Sequence, residues 1–380
     1  MKIKIVIIAL VLLGITACEN QEFTVRDFDS TSVFFPYQTP SRTLVLGDYD
    51  LGFNDNDNNG KFEIGVVMSG VFENTEDRKV HFELAPELID ATTLGVDSVN
   101  VQILPDAYYT IEQESPVTIP SGSINGRIPI QLNDAFFNDP LSIAPEGTTH
   151  YVIPLKITDF ENLDSLLTGV PIVDNPTKIL ATDYSSAPKD YTLFGIKYMN
   201  EFQGKYLRRG ADKIVGTLTE ETPSNGNVVT TNIDTTSVYS KEFVERDEIA
   251  TVLTSGRNKA IVSNLVRRGK FEAAQNDINI EMTISDNGDI VITEAEGETR
   301  TVTGTGKWLE DGDSWGGKKR DVIYLEYQYQ DVGIEEKKEF GSVVSRKTIN
   351  LLHTVKDTLV IRNRDVRFEQ FTLEITQSPL

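Results

Sequence analysis

Apolar residues recur at every second position in run after run of this chain, and a period of two commits such runs to β-strands with one face turned inward. Phe62, Ile64, Val66 and Met68 alternate with Glu63, Gly65 and Val67. Val80, Phe82 and Leu84 repeat the pattern, as do Val99, Val101 and Ile103, and then Ile128, Ile130 and Leu132. Tyr151, Ile153, Leu155 and Ile157 continue it, with Pro154 inside the run. Proline donates nothing to a ladder, so that strand is expected at a sheet edge. Ser121-Gly122-Ser123 and Asn125-Gly126 supply turn chemistry between runs. Helix is expected only in short pieces, around 134–138 and 162–167. Short strands punctuated by turns argue a β-sandwich over residues 33–182.

The aperiodic stretch 183–190, Asp-Tyr-Ser-Ser-Ala-Pro-Lys-Asp, marks the expected domain boundary. The second domain, 190–380, is also β. Ile278, Ile280, Met282 and Ile284 lead into Asp286-Asn287-Gly288-Asp289 and return through Ile290 to Thr293, a strong hairpin signal. Ile323, Leu325, Tyr327 and Tyr329 form another inward face, Glu335 to Glu339 read as a solvated hairpin tip, and Phe371, Leu373 and Ile375 read as the last strand. Consecutive long hairpins favour an up-and-down barrel over a second sandwich.

The start of the chain has a different grammar. Lys2 and Lys4 precede an unbroken apolar run from Ile5 to Leu13, closed by Ile15-Thr16-Ala17-Cys18. The run is too short to span a bilayer, which takes about 20 residues, and its layout is that of a secretory signal over residues 1–17. Ile-Thr-Ala-Cys resembles a bacterial lipobox, and Cys18 is the only cysteine of the chain. A lone thiol makes no intramolecular disulfide, whereas acylation explains both its number and its place. Cys18 is therefore expected to be lipidated and to begin the mature protein. Residues 18–32, polar and acidic, form a tether, and Glu19 and Glu22 resemble the surface-export signals of Bacteroidota-type lipoproteins.

Removing Lys2 and Lys4 with the leader deepens the formal net charge from −22 to −24. Such a surface repels phosphate backbones and anionic lipid, which excludes nucleic acid as a partner and leaves the lipid on Cys18 as the sole membrane contact. At 39% hydrophobic and 25% charged residues, the remainder can bury a full core.

No catalytic constellation stands out. His81, His150 and His353 lack metal-ligand spacing. Gly304-Thr305-Gly306-Lys307 lacks the rest of a P-loop. Asp55, Asp57, Asn59 and Gly60 fit the first half of a calcium loop, but Val66 stands where a bidentate Glu is required, so the stretch reads as an Asn/Asp-rich turn. No metal or cofactor is expected. Aromatic residues are the better lead. A pyranose presents an apolar C–H face to a ring, and its hydroxyls need polar partners. Trp315 lies in Asp311-Gly312-Asp313-Ser314-Trp315-Gly316-Gly317, with Asp313 beside it and Tyr324 on the polar face of the next strand. These three, with Trp308, are the candidate glycan site. The alternatives are that Trp308 belongs to the core and that Trp315 folds back over the barrel end.

Two stretches carry family resemblances. Residues 106–111, 117–132 and 151–158 resemble the Ig-like N-terminal domain of surface lipoproteins in Bacteroidota polysaccharide-utilisation (Sus-like) systems. Residues 189–210 and 303–329 resemble the calycin-like, lipocalin-type barrel found behind it, with Tyr206 in Phe202-Gln203-Gly204-Lys205-Tyr206 where Trp is commoner. The resemblance implies an all-β chain, an Ig-like sandwich followed by a calycin-like barrel. It implies a non-catalytic, outer-membrane lipoprotein that captures glycan or oligosaccharide for an uptake complex. Two other readings stay open: a structural or adhesive protein that binds another protein, and a barrel that carries a small apolar ligand.

Overall fold

The computed structural model describes residues 27–49, 51–265 and 277–376. Cys18, the leader and the start of the tether lie outside the described residues. The chain is all-β, and its strands form two bodies joined by a tight seam.

The first body is a two-sheet sandwich. Its strands are β1 (Ser32–Phe34), β2 (Pro40–Val45), β3 (Lys61–Ser69), β4 (Arg78–Leu84), β5 (Tyr109–Ile111), β6 (Val117–Ile119), β7 (Asn125–Leu132), β8 (Tyr151–Glu161) and β9 (Tyr191–Met199). One sheet runs Ser165–Leu166, β1, β3, β7, β5, and the other runs β2, β9, β8, β4, β6, with Gln102–Ile103 beside β8. The alternating residues meet between the sheets: Val33, Leu44, Ile64, Met68, Ile128, Ile130, Ile153 and Leu155 are all but fully buried.

Two local expectations are corrected here. β8 is central, not an edge, because it pairs with β9 on one side and β4 on the other. Pro154 is tolerated there because the pairing with β4 stops at Leu155 and that with Gln102–Ile103 stops at Val152, leaving no donor needed between them. The segment expected as helix around 162–167 instead contributes Ser165–Leu166 to the sheet by parallel pairing with β1. The short helix Asp134–Asn138 forms as expected, with the Asn133 side chain accepting from Ala135 N–H. Asp55–Asn58 forms one helical turn, whose Asp57 carboxylate accepts from Val45 N–H at 2.9 Å and from Arg42 at 2.6 Å.

The second body is a barrel with an arm. Its strands are β10 (Gly204–Thr222), β11 (Asn227–Tyr239), β12 (Glu248–Gly256), β13 (Lys259–Leu265), β14 (Ile278–Ile284), β15 (Asp289–Glu294), β16 (Val302–Trp315), β17 (Lys318–Glu339) and β18 (Ser342–Asn363). All except β11 pair in chain order, and β18 returns to β10, which closes the ring. Tyr206, Ile280, Met282, Ile323, Leu325, Tyr327 and Leu359 fill its interior. The long ends of β10, β17 and β18, joined by β11, continue beyond the ring as a four-stranded arm. One face of the arm holds Ile214, Leu218, Ile233, Ile349 and Leu351 together. Residues 335–339 are strand rather than tip, because Glu335 and Glu336 stand opposite Lys347 and Arg346. The turn falls at Phe340-Gly341.

Two segments cross the expected boundary. Tyr191–Met199, placed with the second domain by sequence, pairs with β8 and β2 in the sandwich. The last strands also return there: β19 (Glu369–Gln370) pairs with β2, Ile375–Thr376 pairs with Ser98–Val99, and Phe371 is buried with Val152 and Leu193. Alternation marks a strand but carries no record of its partner.

Candidate functional site

The two bodies meet where β9 leads into β10 and where β18 leads into β19. Arg364 is the clasp. Its guanidinium donates to the carbonyls of Gln203 (2.7 Å), Asp48 (3.0 Å), Leu46 (3.0 Å) and Asn200 (2.6 Å), drawn from loops on both sides of the seam. All four acceptors are carbonyls. Burial therefore draws the guanidinium below its ordinary pKa, with Tyr206, Asp321 and Glu201 partly offsetting this.

A cavity opens on each side of the clasp, and Arg364 lines both. One, of about 280 Å³, is walled by Lys197, Lys205, Thr254, Arg367 and Glu369. Its charges are matched: Lys197 holds Glu369 at 2.8 Å, and Arg367 holds Glu146 at 3.1 Å. The other, of about 230 Å³, is walled by Asp48, Tyr49, Asp311, Arg320, Asp321 and Arg362. Its acids crowd one another. Burial raises Asp321 on its wall, with the charges of Asp311 and Asp48 adding to this; off the wall, burial raises Glu201 and the charge of Asp48 raises Glu310. Carboxylates, guanidinium groups and a tyrosine ring around one cleft make a surface suited to a polyhydroxylated ligand with an apolar face. Among the described residues, no cluster of three His, Cys, Asp or Glu side chains is arranged to hold a metal ion.

The hairpin of β16 and β17 forms a wall of this second cavity and carries the residues singled out by sequence. Gly316 and Gly317 both adopt positive φ, 61° and 76°, as a two-residue turn between Trp315 and Lys318 requires. Trp315 is folded against the seam: its indole N–H donates to Ile361 O at 3.0 Å, and the Arg320 guanidinium lies 4.8 Å from the ring centroid. Asp313 stands opposite Arg320 and is exposed. Trp308 sits on the inner face, edge-on to Phe202 at 5.5 Å and packed on the barrel core. Tyr324 faces outward at 38% exposure, between Lys307 and Thr358. The fold thus keeps Trp315 and Asp313 on the hairpin beside the cleft but not among the residues that line it, turns Trp308 inward and leaves Tyr324 on the outer barrel surface.

Sequence reading missed Tyr49, Arg320, Asp321, Arg362 and Arg364. A signal for most of them exists in two short runs of mixed charge, Lys318-Lys319-Arg320-Asp321 and Arg362-Asn363-Arg364-Asp365. Only folding shows that these runs face each other.

Comparison with known proteins matches two separate stretches of the chain. Residues 28–164 match the model of an N-terminal domain, and residues 201–365 match a domain of unknown function, DUF5627. The second match begins at the seam and spans the barrel and arm. No curated protein matches the chain. A crystal structure of a Bacteroides ovatus protein of unknown function is 27% identical, with 93% of this chain and 100% of that one covered and a TM-score of 0.71. A Bacteroides ovatus multidomain protein including DUF1735 is 16% identical, with 88% and 96% covered and a TM-score of 0.38. Another, whose name proposes carbohydrate binding, is 11% identical, with 90% and 100% covered and a TM-score of 0.24. The last two superpose too poorly to bear on fold or function.

Proposed function

We propose that this protein is a cell-surface, outer-membrane lipoprotein that captures oligosaccharide for an uptake complex and leaves it chemically unaltered. The observation that carries the reading is the second seam cavity, where the Tyr49 ring lies among Asp48, Asp311, Arg320, Asp321, Arg362 and Asn363, beside the hairpin that carries Trp315. An aromatic ring beside fixed donors and acceptors is what a sugar needs: the ring takes the C–H face and the polar groups take hydroxyls. The anchor is the acylated Cys18, which keeps the acidic body in solvent.

The binding test is a screen of the purified protein against oligosaccharides, repeated with Trp315→Ala. Removing an anchoring aromatic costs on the order of 2 kcal/mol, about thirtyfold in affinity. Lost affinity at unchanged melting temperature supports the site. A fall in melting temperature with affinity intact in the folded fraction reduces Trp315 to a structural plug. The anchor is tested separately: Cys18→Ser should move the protein from membranes to the soluble fraction, and continued membrane partitioning would sink the acylation.

A protein-binding role is favoured by one observation. The outer face of the arm leaves Val215, Val332, Ile334 and Leu352 in solvent. The apolar-carrier reading finds less support, since core side chains occupy the barrel interior.

A further inference from the structure

A second aromatic feature lies on the sandwich, away from the seam cleft. Tyr37, in the turn between β1 and β2, and Phe368, just before β19, come from opposite ends of the fold. The pairing of Pro40 with Gln370 and of Ser41 with Glu369 draws the returning chain alongside β2 and sets the two rings 4.9 Å apart, tilted by 48°. They remain 45% and 67% exposed. Beside them is a groove of about 170 Å³, whose lining includes Pro36, Gly65, Thr192 and Phe194. Phe194 is itself fixed by stacking on Phe62 at 5.5 Å.

Two features make this a binding groove and not a packing defect. Thr192 is 1% exposed, yet its hydroxyl has no partner in the protein. A buried hydroxyl left unpaired costs about 1–3 kcal/mol, and a ligand hydroxyl would remove that cost where a wholly apolar ligand would not. Arg42, also on the lining, is held in place by Asp57 at 2.6 Å. The volume is equivalent to about six waters at ~30 Å³ each, below the ~300 Å³ at which pockets for larger ligands begin. One ring fits; a chain does not.

We propose that this groove is a subsite for a single pyranose, with its C–H face on the Tyr37–Phe368 pair and a hydroxyl directed to Thr192. The proposal rests on the reading of the protein as a glycan binder and adds a second contact point to it, on the other body.

The probes are methyl pyranosides of the gluco, galacto, manno and N-acetylglucosamine series, titrated calorimetrically into the parent, Thr192→Val, Phe368→Ala and Trp315→Ala. Thr192→Val removes the unpaired hydroxyl at nearly constant volume, and Phe368→Ala removes an exposed ring, so the fold should survive both; matched melting temperatures check this. The expected result is a binding event weakened about fivefold by Thr192→Val, about thirtyfold by Phe368→Ala and unaffected by Trp315→Ala. Binding that survives the first two variants and is lost in Trp315→Ala overturns the subsite while leaving the seam reading in place. Binding sensitive to the groove variants, with oligosaccharide affinity indifferent to Trp315, keeps the subsite and removes the seam. No binding of any probe to the parent overturns the subsite.

Discussion

Two buried arginines, one at the root of the arm and one at the seam, show how differently a fold can treat the same side chain. Arg208 lies against Asp357, with contacts of 3.0 and 3.1 Å, and donates to the Tyr239 hydroxyl at 3.1 Å. Tyr239 and Tyr327 donate in turn to Asp357. Burial works against the charge of Arg208, but Asp357 outweighs it and raises the guanidinium above its ordinary pKa. Arg364 has carbonyls only, and its pKa is lowered. The first arginine is neutralised inside a packed network. The second ties two bodies together, has a cavity on either side and is ringed by acids that repel each other. A satisfied network stabilises a fold; a partly satisfied one leaves groups that a ligand can engage.

The largest expected effect comes from breaking the first site. Asp357→Ala leaves Arg208 buried without its partner and should cost about 3–5 kcal/mol in chemical denaturation. A loss under 1 kcal/mol would mean the network is not what holds the arm root. Arg364→Ala should cost less, about 2–3 kcal/mol, because it abandons carbonyls and not a charge. Its signature is a single calorimetric transition splitting into two as sandwich and barrel uncouple. A single transition at an unchanged temperature would show that the seam holds without its clasp.

A smaller effect comes from pH. Glu201, Asp321 and Glu310 have raised folded-state pKa values, so the folded protein binds protons more readily than the unfolded chain at these positions. Their contribution is present below the ordinary carboxylate range and is lost as pH rises through the raised values. The seam should therefore tighten on mild acidification from neutrality. Near the arm root the sign is opposite. Burial opposes ionisation of Glu298, but hydrogen bonds from Arg300, at 2.7 and 3.0 Å, outweigh it and lower its pKa. That stabilisation is lost only in stronger acid, as pH falls through the lowered value. Hydrogen exchange at the seam and at the arm root across pH 4–8 separates the two; parallel profiles would contradict the contrast. Tyr324→Ala should change stability by no more than about 0.5 kcal/mol. Its effect on oligosaccharide affinity should be well below that of Trp315→Ala.

Much of this was legible in the residues themselves. Alternation at 62–68, 128–132 and 278–284 located strands because a half-buried strand must alternate. Asn287-Gly288 located a hairpin because its glycine takes a φ of 81°. Trp315 was legible as an aromatic in a turn, but its bond to Ile361 O was not, since 46 residues separate them. Pro154 misled because its tolerance depends on where neighbouring strands stop, a property of other segments.

The sequence by itself determined the all-β class and the location of several strands, since those follow from period, turn chemistry and local sterics. Only the tertiary structure decided which strands pair. It placed Tyr191–Met199 and the chain after β18 in the sandwich, aligned the charged runs at 318–321 and 362–365 around one arginine, and brought Tyr37 to Phe368. Pairing and site assembly depend on long-range burial and on hydrogen bonds between distant segments, and no local pattern encodes those partners.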